Sequence, residues 1–394
     1  MERVSLGYPL AGVRVLDMSR VLAGPYVGRM LTDLGADVVK VEPPEGDVTR
    51  FWGKQIAGLS GYYTQQNVGK RNICVDLRAA GGPELIAELA TKADVLIENF
   101  RPGVMAQYGL SYDELSVRAP QLVMLSISGF GQTGPESRRA AYASVVHAES
   151  GVVERLRPVS GPYTEPRISF ADMNAGLHGL VGLLSALHMR HRTGRGQHID
   201  IAMLDTMLAT DDYVNMALDE LPQPHGIGSD VWESSAGPLV MAGDPRWLWR
   251  RLSEVHGLSD GLSADAPLSD KIKARRAEIT RFLGSFEQPE ALFSALAKAG
   301  LAFGCVKDTQ TALRSPTVQH RKAIAEVSDR AGGTRSVIQS PYRFSHADSG
   351  ARDSGAPHRG EHNQTVLGEW LGCGSERVAR LTQDGVLLRE TPPT

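Results

Sequence analysis

The chain has 394 residues, of which 42% are hydrophobic and 22% are charged, and its formal net charge is −3. This length exceeds one ordinary domain, and the composition is that of a soluble globular protein with a full core, so we expect two domains. The slightly negative charge gives no electrostatic case for nucleic acid or an anionic membrane as a partner.

Three cysteines, Cys74, Cys305 and Cys373, lie far apart in the chain. This odd, scattered set favours neither a disulfide framework nor a zinc ribbon and is typical of a reducing compartment. The first residues lack the layout of a secretion signal, and the longest apolar stretch, 175–189, is too short and interrupted to span a bilayer. We therefore expect a cytoplasmic protein.

Between residues 13 and 127, short apolar runs alternate with segments of helical periodicity. The predicted strands cover residues 13–16, 37–41, 95–97 and 122–127. Predicted helices follow the first strand and lie near residues 83–92. This alternation favours an α/β fold in which a parallel sheet carries helices on both faces, as in a Rossmann-like domain. The nearly continuous apolar character of the strands fits burial on both sides.

A polar connection ends at Asp172, and a helical pattern follows it. Its apolar residues are Leu177, Leu180, Val181, Leu184 and Leu187. Their spacing predicts an amphipathic helix. An aspartate at this position can cap the first turn, and the helix dipole favours its ionised form. Taken alone, Asp172 is therefore interpreted as a helix N-cap. The segment 197–203 continues the same core.

The character of the chain changes after about residue 220. A linker is punctuated by Pro222, Pro224, Gly226 and Gly228. Beyond it lie a strand candidate at 239–241 and helical patterns at 247–255, 271–283 and 289–298. We predict a smaller α+β domain over residues 221–330 and a discontinuous large domain over residues 1–220 and 331–394. A terminal helix is expected near residues 364–371.

One glycine pattern, Gly129-Phe-Gly131-Gln-Thr-Gly134, matches the dinucleotide-binding fingerprint after a predicted strand. It follows a late strand rather than the first one, and Pro135 comes directly afterwards. A close-packed turn beside a ligand is the favoured interpretation, and an NAD-dependent dehydrogenase is a distant alternative.

A second pattern, His358-Arg-Gly-Glu361-His362, matches the H-x-x-E-H signature of inverted zinc peptidases. That chemistry needs both imidazoles on one helical face, but Pro357 precedes the pattern and Gly360 interrupts it. We expect no metal site and interpret these residues as a loop before a helix.

Several segments together resemble the class III coenzyme A-transferases, the family of formyl-CoA transferase, carnitine CoA-transferase and α-methylacyl-CoA racemase. The order and spacing of the matching segments cover nearly the whole chain, apart from about 220–300. The segments are Val15–Pro25, Leu34–Glu42, Asn67–Arg71, Val75–Arg78, Asp94–Gly103, Ser128–Pro135, Ala171–Asp172, Thr193–Gln197 and Gly360–Asn363.

The resemblance implies that Asp172 is a catalytic nucleophile. Its carboxylate would attack an acyl-CoA to give a mixed anhydride, and CoA would then return to form an aspartyl-CoA thioester. A free carboxylic acid would finally take the CoA, so the exchange is split into easier covalent steps. The resemblance also implies an interlocked homodimer.

The resemblance further assigns contacts to coenzyme A as co-substrate. Its phosphates need cations and its adenine needs an apolar slot. The residues expected to contact it are Leu22, Ala23, Val75, Arg78, Asn99, Phe100, Arg101, Arg139 and Tyr142. Arg138 is a weaker candidate beside Arg139.

Departures from the family narrow the function. The racemase branch has a histidine at Tyr142 and an acidic residue at Ala143, so racemisation is the runner-up, although His147 lies about one helical turn away. Formyl-CoA transferase has glutamine at Leu22 and glutamate at Ala143, which disfavours a formyl or oxalyl substrate. Its glycine-rich flap has no counterpart in residues 229–243. A CoA-binding protein without catalytic activity is a further alternative.

Overall fold

The computed structural model describes residues 6–157, 161–220 and 231–391. The chain forms two compact units, one of residues 1–212 with 321–394 and the other of residues 213–320. The linker residues Pro222, Pro224, Gly226 and Gly228 lie outside the described residues. The sequence suggests boundaries of independently folded domains near residues 220 and 330, and these boundaries stay predictions.

The first unit begins with alternating strands and helices. Its strands are β1 Arg14–Asp17, β2 Asp37–Glu42, β3 Gln55–Ile56, β4 Leu59–Ser60, β5 Arg71–Cys74, β6 Val95–Glu98, β7 Val123–Ser128 and β8 His198–Ala202. Its helices are α1 Ala23–Asp33, α2 Gly61–Asn67, α3 Gly82–Ala90, α4 Val104–Gln107, α5 Tyr112–Arg118, α6 Ala143–Glu149, α7 Val152–Arg155, α8 Phe170–Thr193 and α9 Met203–Thr210. A 3₁₀ helix covers Val48–Phe51.

Six of these strands form one parallel sheet in the order β5-β2-β1-β6-β7-β8. The predicted α/β fold with a parallel sheet is therefore confirmed. Two apolar clusters cover its faces, one around α3 and one around α1 and α8. Because the chain runs from β1 to β2 on one side and to β6 on the other, the strand order reverses between β1 and β6. Ligands of open α/β sheets bind at the carboxyl ends of the strands at such a point.

The second unit carries its own core beneath a small antiparallel sheet of order β11-β10-β9. Its elements are α10 Val214–Leu218, β9 Val231–Trp232, β10 Leu239–Ala242, α11 Pro245–His256, α12 Leu268–Gly284, α13 Pro289–Lys298, β11 Ala302–Cys305, α14 Thr309–Leu313 and α15 Pro316–His320. Residues 229–243, in which the glycine-rich flap has no counterpart, include β9 and β10. Residues 229 and 230 lie outside the described part of the chain.

The chain then returns to the first unit through a hairpin that the sequence did not predict. The remaining elements are β12 Ile324–Ser328, β13 Thr334–Ile338, α16 Asn363–Leu371 and α17 Ser375–Gln383. In the hairpin only Val327 and Val337 are buried, which leaves too weak an apolar alternation to read from the sequence. In the described parts of the chain, every helix is too short or too polar to cross a membrane.

Candidate active site

Two turns meet where the strand order reverses. Residues 19–22 follow β1, and residues 99–102 follow the neighbouring β6. The side chain of Asn99 joins them: its Oδ1 accepts a hydrogen bond from the Arg20 N–H at 2.7 Å, and its Nδ2 donates to the Arg20 carbonyl at 2.8 Å. Asn99 therefore fixes the relative position of two predicted contact segments.

Buried charged groups hold the turn of residues 19–22 in a strained backbone conformation. Val21 has φ +69°, a value that a β-branched residue rarely adopts. Its N–H donates to Asp47 Oδ2 at 3.1 Å, and Lys40 Nζ donates to the Ser19 carbonyl at 2.9 Å. Lys40 and Asp47 pair at 3.2 Å with their side chains fully buried. This network fixes the position of the backbone at Leu22 and Ala23.

A cavity of about 770 Å³ opens above these turns. It contains Asp172 and most of the residues that the sequence singles out. The predicted contacts that line it are Leu22, Ala23, Asn99, Phe100, Arg101, Arg139 and Tyr142. The fold therefore gathers predicted contacts from three separate parts of the chain around one carboxylate.

Val75 and Arg78 lie elsewhere, in a second cavity of about 380 Å³ that does not include Asp172. The two cavities share Arg20 and Phe100 as lining residues, so they adjoin. A long ligand could occupy both, with one end beside Val75 and the other beside Asp172.

Asp172 lies in the first turn of α8, and the expectation that it is the N-cap is wrong. Ser169 is the N-cap residue, because the helix already begins at Phe170. Small residues on the buried face of α8 bring it close to α1: a Cβ on Gly176 would lie 3.0 Å from the Ala23 carbonyl oxygen. The N-termini of α1 and α8 therefore meet at Asp172.

Burial raises the pKa of Asp172 to about 6. The backbone N–H groups of Ala23 and Asp172 partly offset this effect, because they stabilise the charged carboxylate. With a pKa of about 6, roughly nine-tenths of the group is ionised at pH 7. Asp172 is thus a poorly solvated but mainly charged carboxylate.

His147 of α6 connects to the start of α8, a connection that sequence reasoning missed. Its side chain is fully buried; Nε2 accepts the Ala171 N–H at 3.1 Å, and Nδ1 lies 3.0 Å from Glu165 Oε1. Because Nε2 accepts, Nδ1 carries the proton and donates to Glu165. The ring thereby takes over the role of an N-terminal cap for the Ala171 N–H.

Tyr62 and Trp52 also line the cavity and were not predicted. Their rings meet edge to face with centroids 5.0 Å apart. Burial, followed by the charge of Asp172, raises the pKa of Tyr62 to about 12, so its hydroxyl stays a neutral donor. No local sequence pattern marks these two residues, which lie more than a hundred positions before Asp172.

The arginines around the cavities differ in whether their charge is already paired. Arg139 pairs with Glu136 and Glu149 at 2.7 Å each, and Arg78 pairs with Asp76 and Glu45. Arg20, Arg101 and Arg167 line the main cavity and form no ion pair with any described carboxylate. These three are the cations available to an anionic ligand.

The glycine pattern after β7 forms a close-packed turn. A Cβ on Gly129 would lie 2.3 Å from the Ala141 Cβ, and Gly131 has φ +86°. The next helix in the chain is α6, which begins at Ala143. The strand-turn-helix arrangement of a dinucleotide fingerprint is therefore not formed here.

The H-x-x-E-H residues lie in a loop before α16, where they form an ion pair and hydrogen bonds. Glu361 pairs with Arg330 and accepts the His358 N–H at 2.9 Å, while His362 Nδ1 accepts the Asn72 N–H at 3.1 Å. In the described residues, no three His, Cys, Asp or Glu side chains cluster as metal ligands would.

Comparison with known proteins gives one consistent result. The model of the family described as CoA-transferase family III matches residues 10–363. Succinate--glutarate CoA-transferase of Agrobacterium fabrum is 34% identical, over 92% of this chain and 95% of its own. Acetyl-CoA:oxalate CoA-transferase of Acetobacter aceti is 33% identical, over 92% of this chain and 96% of its own. The crystal structure of a CaiB/BaiF family protein from Brucella suis superimposes with a TM-score of 0.78 and 34% identity, covering 92% of this chain and all of that one.

Proposed function

The chain belongs to CoA-transferase family III, and from that premise we propose that it moves CoA from an acyl-CoA to a free carboxylic acid with Asp172 as the nucleophile. The observation that carries the proposal is the charged, poorly solvated Asp172 carboxylate within the main cavity. Poor solvation favours attack, because little water has to be removed from the oxygen that forms the new bond.

The proposed exchange proceeds through two kinds of enzyme-bound species, a mixed anhydride and a thioester. Asp172 bonds to the acyl carbonyl carbon, the carbon–sulfur bond breaks, and CoA leaves as the thiolate. The thiolate then attacks the Asp172 side-chain carbonyl, which releases the donor acid and leaves an aspartyl-CoA thioester. The acceptor carboxylate attacks this thioester, which gives a second mixed anhydride and releases the thiolate. The thiolate attacks the acyl carbon of the acceptor, the bond from that carbon to the Asp172 oxygen breaks, and Asp172 is regenerated without net proton transfer.

The convergence of α1 and α8 supports this chemistry. Each tetrahedral species carries a negative oxygen, which backbone N–H donors and helix N-termini stabilise. The Ala23 N–H lowers the pKa of the Asp172 carboxyl, which indicates that it faces the carboxylate. Tyr62, a neutral hydroxyl close to Asp172, is a further donor on the cavity wall.

The adjoining cavities support coenzyme A as the co-substrate. We place its thiol end beside Asp172 and its nucleotide end in the smaller cavity, where Val75 and Phe100 offer apolar surface. Arg20 and Arg101 are unpaired among the described residues and can bind phosphate. Arg78 and Arg139 would have to exchange their present carboxylate partners to do so.

A racemase is the alternative activity on this fold. It needs an acid and a base on opposite faces of the α-carbon. His147, the histidine nearest Asp172 in the sequence before it, is fully buried, and both its ring nitrogens are engaged. That geometry favours the transferase.

We also propose the interlocked homodimer. Large apolar side chains on α8 remain exposed, with Leu177 at 42% and Val181, one helical turn later, at 63%. Apolar groups repeated along one helix face are typical of a surface that a partner covers. Light scattering after gel filtration should give twice the mass of one chain, and a monomer would contradict the proposal.

A transfer assay tests the activity. The protein is incubated with an acyl-CoA and an isotopically labelled carboxylic acid, and new thioesters are identified by mass spectrometry. We expect labelled acyl-CoA from the wild type and none from Asp172→Asn. Loss of an α-deuterium label to solvent without transfer would favour the racemase, and CoA binding with neither reaction would favour a binding protein.

A further inference from the structure

We propose that the acid exchanged at Asp172 carries a second carboxylate, which Arg167 binds. This inference rests on the proposed transferase function and adds the class of substrate, a dicarboxylic acid. Arg167 lies five residues before Asp172 in the segment that leads into α8, and it lines the same cavity.

The charges around the cavity single out this residue. Four arginines line it, namely Arg20, Arg101, Arg139 and Arg167. Two carboxylates hold Arg139, whose guanidinium also lies 4.7 Å from the centre of the Phe130 ring. The other three form no ion pair within the described residues.

Two of these three arginines lie toward the smaller cavity, where we place the nucleotide end of CoA. Arg20 lines both cavities, and Arg101 directly follows Phe100, which also lines both. They are therefore placed for the CoA phosphates. Arg101 and Arg167 both line only the cavity that contains Asp172, but Arg167 lies on the segment that leads to Asp172 and not beside Phe100. Arg167 is therefore the available cation on the acyl side.

Glu165, two residues before Arg167, also lines the cavity but forms no ion pair with Arg167. Its Oε1 accepts a hydrogen bond from His147 Nδ1 at 3.0 Å. A guanidinium binds a carboxylate through two parallel hydrogen bonds, and such charged pairs discriminate strongly against a substrate that lacks the carboxylate.

Matched thioesters test the proposal. Succinyl-CoA is paired with butyryl-CoA and glutaryl-CoA with valeryl-CoA, because each pair has the same length and differs in the second carboxylate. We expect wild type to prefer the dicarboxylic member. Arg167→Gln should lower kcat/KM for that member by about 10- to 100-fold and leave the monocarboxylic member within about threefold.

The controls separate this role from folding and from CoA binding. Arg157→Gln removes an exposed arginine of the same connection to α8 that lines neither cavity, and it should change neither substrate. Equal losses for both members of a pair, no loss for either, or a wild type without preference would overturn the assignment. Covalent labelling of Asp172 by butyryl-CoA would show in each case that the proposed function stands while the inference fails.

Discussion

The Nε2 atom of His147 accepts the Ala171 N–H at 3.1 Å, one residue before the proposed nucleophile. A buried imidazole in α6 thereby positions the first turn of α8. Glu165 holds the ring from the other side, so the orientation of Asp172 depends on two residues that do not react themselves.

Replacing His147 should therefore impair catalysis more than substrate binding. His147→Ala leaves the Ala171 N–H unsatisfied, which costs about 1–3 kcal/mol, and frees the first turn of α8. We expect kcat to fall at least about tenfold with a small change in KM. His147→Gln, whose amide oxygen can accept the same N–H, should recover most of kcat, and equal losses in both variants would contradict this positioning role.

The pH dependence should report the Asp172 carboxyl. Its pKa of about 6 means that the nucleophile is lost as pH falls through 6, so kcat/KM should drop tenfold per pH unit below that value. Glu98 is the necessary control, because burial raises its pKa to about 7. If Glu98→Gln moved the acidic limb, the limb would belong to Glu98 instead.

Asp172 should also make the protein less stable at neutral pH. Because burial raises its pKa from 3.8 to about 6, the folded state binds more protons than the unfolded state between these values, and stability falls as pH rises through them. Asp172→Asn should therefore be more stable at pH 7.5 by up to about 3 kcal/mol and no more stable below pH 4. Urea unfolding at both pH values measures this, and an equal or less stable variant at pH 7.5 would contradict it.

The buried pair of Lys70 and Asp17 should be essential to the fold beneath the site. The two groups lie 2.8 Å apart with no exposed surface, and a Cβ on Gly28 would lie only 2.5 Å from Asp17 Oδ2. Lys70→Met strands a buried carboxylate and should cost about 3–5 kcal/mol in the free energy of unfolding. The exposed Lys92→Met should stay within about 0.5 kcal/mol. Similar values for both would refute the claim.

The sequence predicted the central strands well, because burial on both faces makes them continuously apolar. The predicted segments 37–41, 95–97 and 122–127 overlap β2, β6 and β7 closely. The strand β5 was missed, since Arg71 and Asn72 give it a polar appearance. Its polar side chains are paired with groups distant in the chain, such as Asp37 and Glu42, and no local pattern shows this.

At the site, the resemblance to the family identified residues that line the cavities. It did not identify the hydrogen bonds and ion pairs that orient them. Asp172, Leu22, Ala23 and Asn99 were predicted and do line one cavity. The contacts of the His147 ring with Ala171 and Glu165 depend on how separate segments pack. Such contacts follow from tertiary structure and leave no periodicity in the sequence.

The most direct test of the account is to trap the enzyme-bound intermediate. The wild-type protein is mixed with an acyl-CoA, reduced with borohydride and digested, and the peptide that contains Asp172 is analysed by mass spectrometry. We expect Asp172 to be converted to homoserine only when acyl-CoA is present. An unmodified Asp172 in protein that still transfers CoA would contradict it.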